Sequence, residues 1–333
     1  MAGGSGETRG NASQEHEAVP RSAFALVAVL TLFWGINFPM MKLALGGIEP
    51  WCFRVACLGC GAAGLFAVAA AGGQRCAVPS TDWGMLALVS LFNITGWHLF
   101  SAYGLRLMEA GRAAILAYTM PIWAMLFAWL LLGERPRAER LGGLALGMGG
   151  IFVLTGDQVL AGRMPSGALA GALCMLGAAM SWGAGTALLK LHRWGMPTTV
   201  LTAWQLLLGG IPVLLGSFVF GKLPDPAQLS AGTWLGLAYS ATIPMVACHY
   251  AWNRLVGLVP AGVAAIATLL IPVVGVLSSA PLNGERIGVR EVAALTLVVA
   301  ALGVVLILPA LPGRRARRKT EEAARRSTNS GRS

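Results

Sequence analysis

Residues 110–135 read AGRAAILAYTMPIWAMLFAWLLLGER, and residues 261–286 read AGVAAIATLLIPVVGVLSSAPLNGER. Each stretch holds an apolar run of about twenty residues, the length that an α-helix needs to cross a hydrocarbon core. Each also has an internal proline, Pro121 or Pro272, and ends in Gly-Glu-Arg. The two stretches therefore predict the same membrane-spanning helix, present twice in one chain.

The duplication extends beyond these two stretches. A spacing of 151 positions, or 148 in the earlier part of each copy, relates further residue pairs: Trp34 and Trp182, Lys42 and Lys190, Trp83 and Trp234, and His98 and His249. Chance seldom repeats such residues at one spacing, and self-similarity of this kind is the signature of a repeated unit. We therefore interpret the chain as two copies of one unit.

Apolar blocks between glycine, proline and charged residues predict the number of spans. Ten blocks are found, near residues 23–42, 51–71, 84–105, 112–132, 140–156, 167–189, 198–220, 233–253, 261–280 and 291–310. Five fall in each copy, and because five is odd the second copy must enter the membrane from the opposite side. The sequence predicts an all-α membrane protein with ten transmembrane helices in two inverted five-helix repeats.

Domain boundaries follow from these blocks. The expected units are a polar N-terminal tail (1–22), a first five-helix repeat (23–156), a second five-helix repeat (167–310) and a basic, disordered C-terminal tail (312–333). The segments between spans are too short to form a separate domain, so we expect any site to lie within the helix bundle.

Composition and charge narrow the class of protein. Only 12% of the 333 residues are charged, against about 25% in soluble domains. Eight of the 25 basic residues lie in the last twenty positions, which is typical of a cytoplasmic anchor rather than a nucleic-acid surface. The loops are balanced in basic residues, so the tails decide the orientation. We expect a multi-pass protein of the inner (plasma) membrane with both termini cytoplasmic, acting as a monomer or homodimer in the lipid bilayer, with a small-molecule substrate and no nucleic acid.

The cysteines could suggest a metal site. Cys52, Cys57 and Cys60 have the C-x4-C-x2-C spacing of a plant-type iron–sulfur loop. In an apolar helix this spacing scatters the thiols around the axis, and no fourth ligand is evident, so small apolar filler is the favoured role. We predict no metal, no cofactor and no catalytic residue.

Polar side chains deep in spans are the candidates for a substrate pathway, since unpaired polar groups are costly in lipid. His98 and His249 are the first pair, because the repeat places them at equivalent depths. Imidazoles could contact substrate or relay a proton. They could equally form interhelical hydrogen bonds that serve packing alone.

A second group lies along the first span. Trp34, Asn37 and Met41 share one helix face at spacings i, i+3 and i+7, and Trp182 is the repeat of Trp34. Such a face can stack an apolar part of a substrate and hydrogen-bond a polar part. The alternative is that Trp34 packs the bundle and that Asn37 bonds a neighbouring backbone.

Three further candidates complete the predicted site. Arg54 follows Pro50 by about one turn and could bind a carboxylate in bidentate fashion or snorkel to the lipid headgroups; Gln205 takes its place in the second copy. Prolines 121 and 272 should free the carbonyls of Ala117 and Thr268, with Tyr118 beside the first break. The predicted substrate-binding residues are Trp34, Asn37, Met41, Arg54, His98, Tyr118, Trp182, Gln205 and His249.

Acidic residues avoid the middle of every predicted span. Glu134 and Glu285 end the fourth and ninth spans, each followed by an arginine, and a helix-end ion pair is the expected role. A proton exchanger that uses a buried carboxylate therefore has no obvious group. Coupling, if present, would have to use histidine.

Several motifs together resemble one transporter family. They are Trp34-Gly35-Ile36-Asn37-Phe38 followed by Lys42, then Pro50 and Arg54, then Pro121 through Gly133-Glu134-Arg135. The chain resembles the drug/metabolite transporter superfamily, EamA type, over nearly all of residues 23–310. The second copy departs from the pattern at Gly185 and Gln205. The resemblance implies a ten-helix carrier that moves small metabolites, often exporting amino acids or related compounds, and it does not name the substrate.

The resulting functional prediction is a secondary transporter that works by alternating access. No P-loop motif occurs in the sequence, which argues against ATP as the energy source. A channel is one alternative, although no filter-like loop and no Asn-Pro-Ala motif is present. An intramembrane enzyme is another, since His249-x3-Asn253 superficially suits a membrane protease, but such chemistry needs paired acids within the spans.

Overall fold

The computed structural model describes residues 21–132, 142–143, 145–153, 167–258 and 261–304. Within these residues the secondary structure is helical, without a strand, which confirms the all-α prediction. The α-helices are α1 (Arg21–Leu45), α2 (Pro50–Ala71), α3 (Trp83–Ser90), α4 (Trp97–Leu107), α5 (Ala110–Ala117), α6 (Met120–Leu132), α7 (Ala168–Leu191), α8 (Thr198–Phe220), α9 (Ala231–Thr242), α10 (His249–Leu258), α11 (Ala261–Asn283) and α12 (Val289–Leu302). Residues 145–153 are also helical.

Six segments are long and apolar enough to cross a membrane: Ser22–Leu45, Pro50–Ala71, Trp83–Leu107, Ala110–Leu131, Ala168–Leu191 and Thr198–Phe220. They correspond to the first four, the sixth and the seventh of the ten predicted spans. The count of ten therefore stays a prediction. Residues 1–20 of the N-terminal tail, the C-terminal tail, the ends of the fifth predicted span and Gly133-Glu134-Arg135 lie outside the described residues.

Two π-helical segments interrupt the expected α-helices at equivalent places. Leu91–Gly96 joins α3 to α4, and Ile243–Cys248 joins α9 to α10. A member of the duplicated histidine pair lies just after each segment: His98 is the second residue after the first, and His249 is the first residue after the second. The apolar blocks of the sequence predict unbroken spans in both regions. π-helical turns occur often at functional sites. Their presence before both histidines agrees with the choice of His98 and His249 as candidate site residues.

The two internal prolines have different effects. Around Pro121 the chain leaves the α-conformation at Tyr118 and Thr119, between α5 and α6. In contrast, α11 continues through Pro272. Among the described residues the helix is therefore interrupted beside the first proline and not beside the second, while the predicted freeing of the Ala117 and Thr268 carbonyls stays a prediction. Transmembrane helices tolerate proline where neighbouring groups bond the freed backbone atoms.

Helix packing is reciprocal between the two copies. The first helix of each copy packs against elements of the other copy: α1 contacts α9 and α11, while α7 contacts α4 and α6. The second helices, α2 and α8, pack against each other. The core between them therefore contains side chains from both copies.

The repeated Trp-Gly pair explains how closely the first helices approach their partners. A Cβ atom on Gly35 would lie 2.5 Å from Cβ of Val274 on α11, and one on Gly183 would lie 2.6 Å from the Ala124 nitrogen on α6. Only glycine leaves room for such backbone approach, as at many transmembrane helix contacts. Both close contacts place the preceding tryptophan, Trp34 or Trp182, beside the opposite copy.

Candidate functional site

Arg54 lies inside the helix bundle with 1% of its surface exposed. The helix that carries it begins at Pro50, where the Glu49 carboxylate accepts from the Trp51 nitrogen at 2.9 Å, a typical N-cap. Its Nε donates to the His98 carbonyl oxygen and its Nη2 to the Ser101 hydroxyl, both at 2.8 Å. The guanidinium is therefore held by α4 in the interior and does not snorkel.

No carboxylate in the described part of the chain lies within 4.0 Å of the Arg54 guanidinium. Burying a charge without a counter-charge is costly, so buried cations in proteins are normally paired. In membrane proteins an ionisable group of this kind marks a substrate or ion pathway by default. The described surroundings therefore leave the positive charge of Arg54 without a negative partner.

The Met41 thioether lies beside the same guanidinium and joins it to Asn37. Asn37 Nδ2 donates to Met41 Sδ at 3.1 Å, and Arg54 Nη2 lies 3.9 Å from the same sulfur. Asn37 Oδ1 is buried and has no hydrogen-bond partner among the described residues. An amide oxygen left in this state is an acceptor available to a ligand.

The two predicted histidines have different surroundings. His98 is buried, and its Nδ1 has no hydrogen-bond partner among the residues described. His249 is half-buried, and its Nδ1 lies 2.8 Å from the Pro244 carbonyl oxygen in the neighbouring π-helical turn. Its ring packs edge-on against Trp34, with the centroids 5.9 Å apart. His98 therefore offers a free acceptor or donor, while His249 is engaged locally.

Of the remaining predicted residues, Tyr118 and Gln205 are buried and Trp182 is half-buried. Tyr118 is buried with its ring 6.1 Å from that of Phe38, and Trp182 packs edge-on against Trp97 at 5.2 Å. Gln205 is buried on α8, which packs against α2. The structure brings Asn37, Met41, Arg54 and His98 into one connected group, which we call the guanidinium cluster. No hydrogen bond or ring contact in the described chain joins Tyr118, Trp182 or Gln205 to it.

Sequence reasoning missed two polar residues of the bundle. Ser101 accepts from Arg54, and Asn93 is buried with Oδ1 unpartnered among the described residues. A Cβ on Gly185 would collide with the Asn93 amide. Gly185 is the position where the second copy lacks the asparagine of the first. The space beside it is filled by the Asn93 side chain, from the segment between α3 and α4. Asn93 could have been found as a lone amide in an apolar run.

The acids at one end of the bundle make contacts between the copies. The Glu285 carboxylate accepts from the backbone nitrogens of Ala110 at 2.6 Å and Gly111 at 2.9 Å, so it caps α5. The described residues show no ion pair of Glu285, the role expected from its place at a helix end. Beside it, Arg112 Nη2 lies 2.9 Å from Glu291 Oε1. Glu134, the equivalent acid of the first copy, lies outside the described residues.

A different pair joins the copies at the start of α3. His192 Nε2 lies 2.9 Å from Asp82 Oδ1, and the Gly195 nitrogen donates to Asp82 Oδ2 at 3.4 Å. Asp82 is buried, and the hydrogen bond from His192 lowers the pKa of its carboxyl below the ordinary value of 3.8. This contact is therefore the titratable link between α3 and the end of α7.

Curated relatives of this chain are named as transporters. An uncharacterized transporter of Bacillus subtilis, YoaV, is 26% identical over 73% of this chain and 82% of its own length. A probable amino-acid metabolite efflux pump of Salmonella typhimurium is 27% identical over 83% of this chain and 92% of its own. The aromatic amino acid exporter YddG of Ancylobacter novellus is 24% identical over 77% and 90%.

The fold and the family are also matched over most of the chain. A solved crystal structure superposes with a TM-score of 0.63 at 22% sequence identity, covering 87% of this chain and 97% of the other, so the two share a fold. The EamA-like transporter family matches residues 21–156 and again residues 169–308. With both of its halves matched, this chain belongs to the EamA-like transporter family and is a membrane transporter built from two copies of the family's domain.

Proposed function

We propose that the protein is a secondary carrier of the plasma membrane that exports amino acids or closely related carboxylates. In this proposal it has ten spans with both termini cytoplasmic, and it works by alternating access between two inverted repeats. The observation that carries the proposal is the burial of the Arg54 guanidinium without a carboxylate partner in the described chain. A substrate carboxylate would supply the missing counter-charge through the paired hydrogen bonds that arginine favours.

The other members of the guanidinium cluster fit the second charge of an amino acid. Asn37 Oδ1 is a buried acceptor, and His98 Nδ1 is a buried ring nitrogen that accepts when the proton is on Nε2. Neither has a partner among the described residues, and an ammonium group supplies up to three donors. Trp34 and Trp97 are partly buried aromatic side chains packed on the same core, suited to the apolar part of a substrate. The names of the two efflux relatives agree with this substrate class.

Reciprocal helix packing supports the carrier architecture. A pseudo-two-fold axis between two copies gives each copy equivalent partners in the other. Here α1 of the first copy contacts α9 and α11 of the second, and α7 of the second copy contacts α4 and α6 of the first. Alternating access in inverted-repeat transporters is a rocking of one repeat or bundle against the other around a fixed site. A carrier is favoured over a channel because a channel would keep its pore-lining charge hydrated, whereas Arg54 is excluded from solvent.

The test first identifies the exported substrate and then measures its transport by Arg54 variants. Metabolites in the medium of cells with and without the protein identify the exported compound, and its transport is then measured in proteoliposomes. Arg54→Gln should abolish export at normal membrane abundance, and Arg54→Lys should retain part of it, because it keeps the charge without the bidentate geometry. Arg112→Gln, at the end of the bundle, is the matched control. Export by Arg54→Gln at the wild-type rate would contradict the proposal.

A further inference from the structure

Two hydrogen-bond donors from different helices converge on one sulfur atom. Asn37 Nδ2 on α1 and Arg54 Nη2 on α2 lie 3.1 Å and 3.9 Å from Met41 Sδ. The Met41 side chain is buried in the core of the bundle. A thioether is among the weakest acceptors in proteins. The hydrogen bonds that the cationic donor and the amide donor make to it are therefore weak.

The same arrangement suits an anion much better. A charged donor and a neutral donor directed at one point are the geometry that binds a carboxylate oxygen, and charge-assisted hydrogen bonds are about twice as strong as neutral ones. The other two acceptors of Arg54, the His98 carbonyl oxygen and the Ser101 hydroxyl, are neutral. The position of the sulfur is thus the place in this cluster where a negative charge would be most stabilised.

Methionine is also suited to leaving that position. Its unbranched side chain has three rotatable bonds and adapts to irregular spaces. Met41 shares a core with Tyr118 and Phe38, so a change of side-chain rotamer moves the thioether among other apolar groups. The cost of displacement is therefore the loss of two weak contacts.

We propose that in the empty carrier the Met41 thioether occupies the carboxylate subsite and that an incoming substrate displaces it. The inference rests on the proposed function and assigns the atoms of its anionic subsite: Arg54 Nη2 and Asn37 Nδ2. Since the sulfur must leave before a carboxylate enters, Met41 weakens the apparent affinity for substrate by the fraction of carriers in which it is in place.

A carboxylate placed on residue 41 itself tests the subsite without any substrate. Met41→Glu carries a carboxylate to the position of the sulfur, and Met41→Gln carries a neutral amide of the same shape. If Met41 were an ordinary core residue, the buried carboxylate would be the more destabilising of the two. If the position is an anion subsite, the carboxylate pairs with Arg54 and Asn37 and becomes the more stable.

The experiment measures the thermal unfolding midpoint of the full-length protein in detergent at neutral pH. We expect Met41→Glu to unfold about 3 °C or more above Met41→Gln, to export nothing, and to lose this advantage when Arg54→Gln is added. A midpoint at or below that of Met41→Gln would overturn the inference. So would an advantage that survives Arg54→Gln, or a Met41→Glu chain that fails to accumulate while Met41→Gln accumulates normally. Because these readings need no substrate, a failure of the wild-type protein to export amino acids would count against the proposed function alone.

Discussion

At Arg54 a full positive charge is held by two neutral oxygens of α4, and one of them can be removed singly. Ser101→Ala deletes the hydroxyl that accepts from Nη2 at 2.8 Å and leaves a buried charged donor short of a partner, at a cost of about 1–3 kcal/mol. We expect the unfolding midpoint in detergent to fall by about 3 °C or more. Ser278→Ala is the control, since among the described residues that hydroxyl donates to carbonyls of its own helix. Equal effects of the two changes would argue that the buried charge of Arg54 does not depend on the Ser101 hydroxyl.

The unpartnered acceptors of the guanidinium cluster give the next prediction. Asn37→Leu and His98→Phe keep the approximate shape of each side chain and remove its hydrogen-bonding atoms. Because a hydrogen bond to a charged group contributes about 1.5–3 kcal/mol, export should fall roughly tenfold or more at normal membrane abundance. His249→Phe should also lower export, but less, because its Nδ1 is already close to the Pro244 carbonyl. Unchanged transport in proteoliposomes for all three variants would assign these residues to packing.

Among the elements, the link between the start of α3 and the end of α7 responds to pH. The carboxyl pKa of Asp82 is lowered by the hydrogen bond from His192, so the folded protein binds this proton less tightly than the unfolded chain. The stabilisation is complete above the ordinary pKa of 3.8 and disappears as the pH falls through the lower folded value. We expect Asp82→Asn to lower the unfolding midpoint at pH 7 and to leave a smaller acid-side decline than in the wild type.

Melting curves between pH 3 and pH 7 measure both effects. Asp225→Asn is the control, because Asp225 is an exposed residue that caps a short turn after α8. Parallel pH profiles for the wild type and Asp82→Asn would show that the His192 contact does not contribute to stability.

The helices were more predictable than their interruptions. Span length and apolar composition predict α1, α2, α7 and α8 closely, because a helix that crosses lipid must satisfy its backbone internally. The π-helical turns before His98 and His249 have no comparable sequence signal, since an inserted residue changes the register without changing the composition. Pro121 correctly indicated a break, whereas α11 continues through Pro272, and the sequence alone could not tell the two apart.

For the site, too, the sequence predicts which residues are unusual on their own helix, but not which residues from other helices they contact. Arg54, Asn37 and His98 could be predicted because a polar residue in an apolar span is conspicuous. The position of Met41 on the helix face was also predicted. That its sulfur lies between donors from two helices depends on how α1 packs on α2 and α4. Ser101 was missed because serine is common in transmembrane helices and becomes significant only when its partner is known.

For the whole molecule, the inverted arrangement predicts on which side of the membrane equivalent loops lie. Gly46 follows α1 and Arg193 follows α7, and both are exposed. In a background without the six native cysteines, cysteine at position 46 should react with a membrane-impermeant maleimide from outside the cell. Cysteine at position 193 should react only after the membrane is opened. Labelling of both positions from the same side would contradict the inverted repeats.

If the buried Arg54 binds the carboxylate of the exported compound, an analogue that lacks this carboxylate should compete poorly for transport. In proteoliposomes that exchange this compound, inhibition is compared between the unlabelled compound and the amine formed by its decarboxylation. Loss of hydrogen bonds to a charged group, at about 1.5–3 kcal/mol, predicts that the amine inhibits at least about tenfold more weakly. Equal inhibition by the amine and the parent compound would contradict the assignment of Arg54.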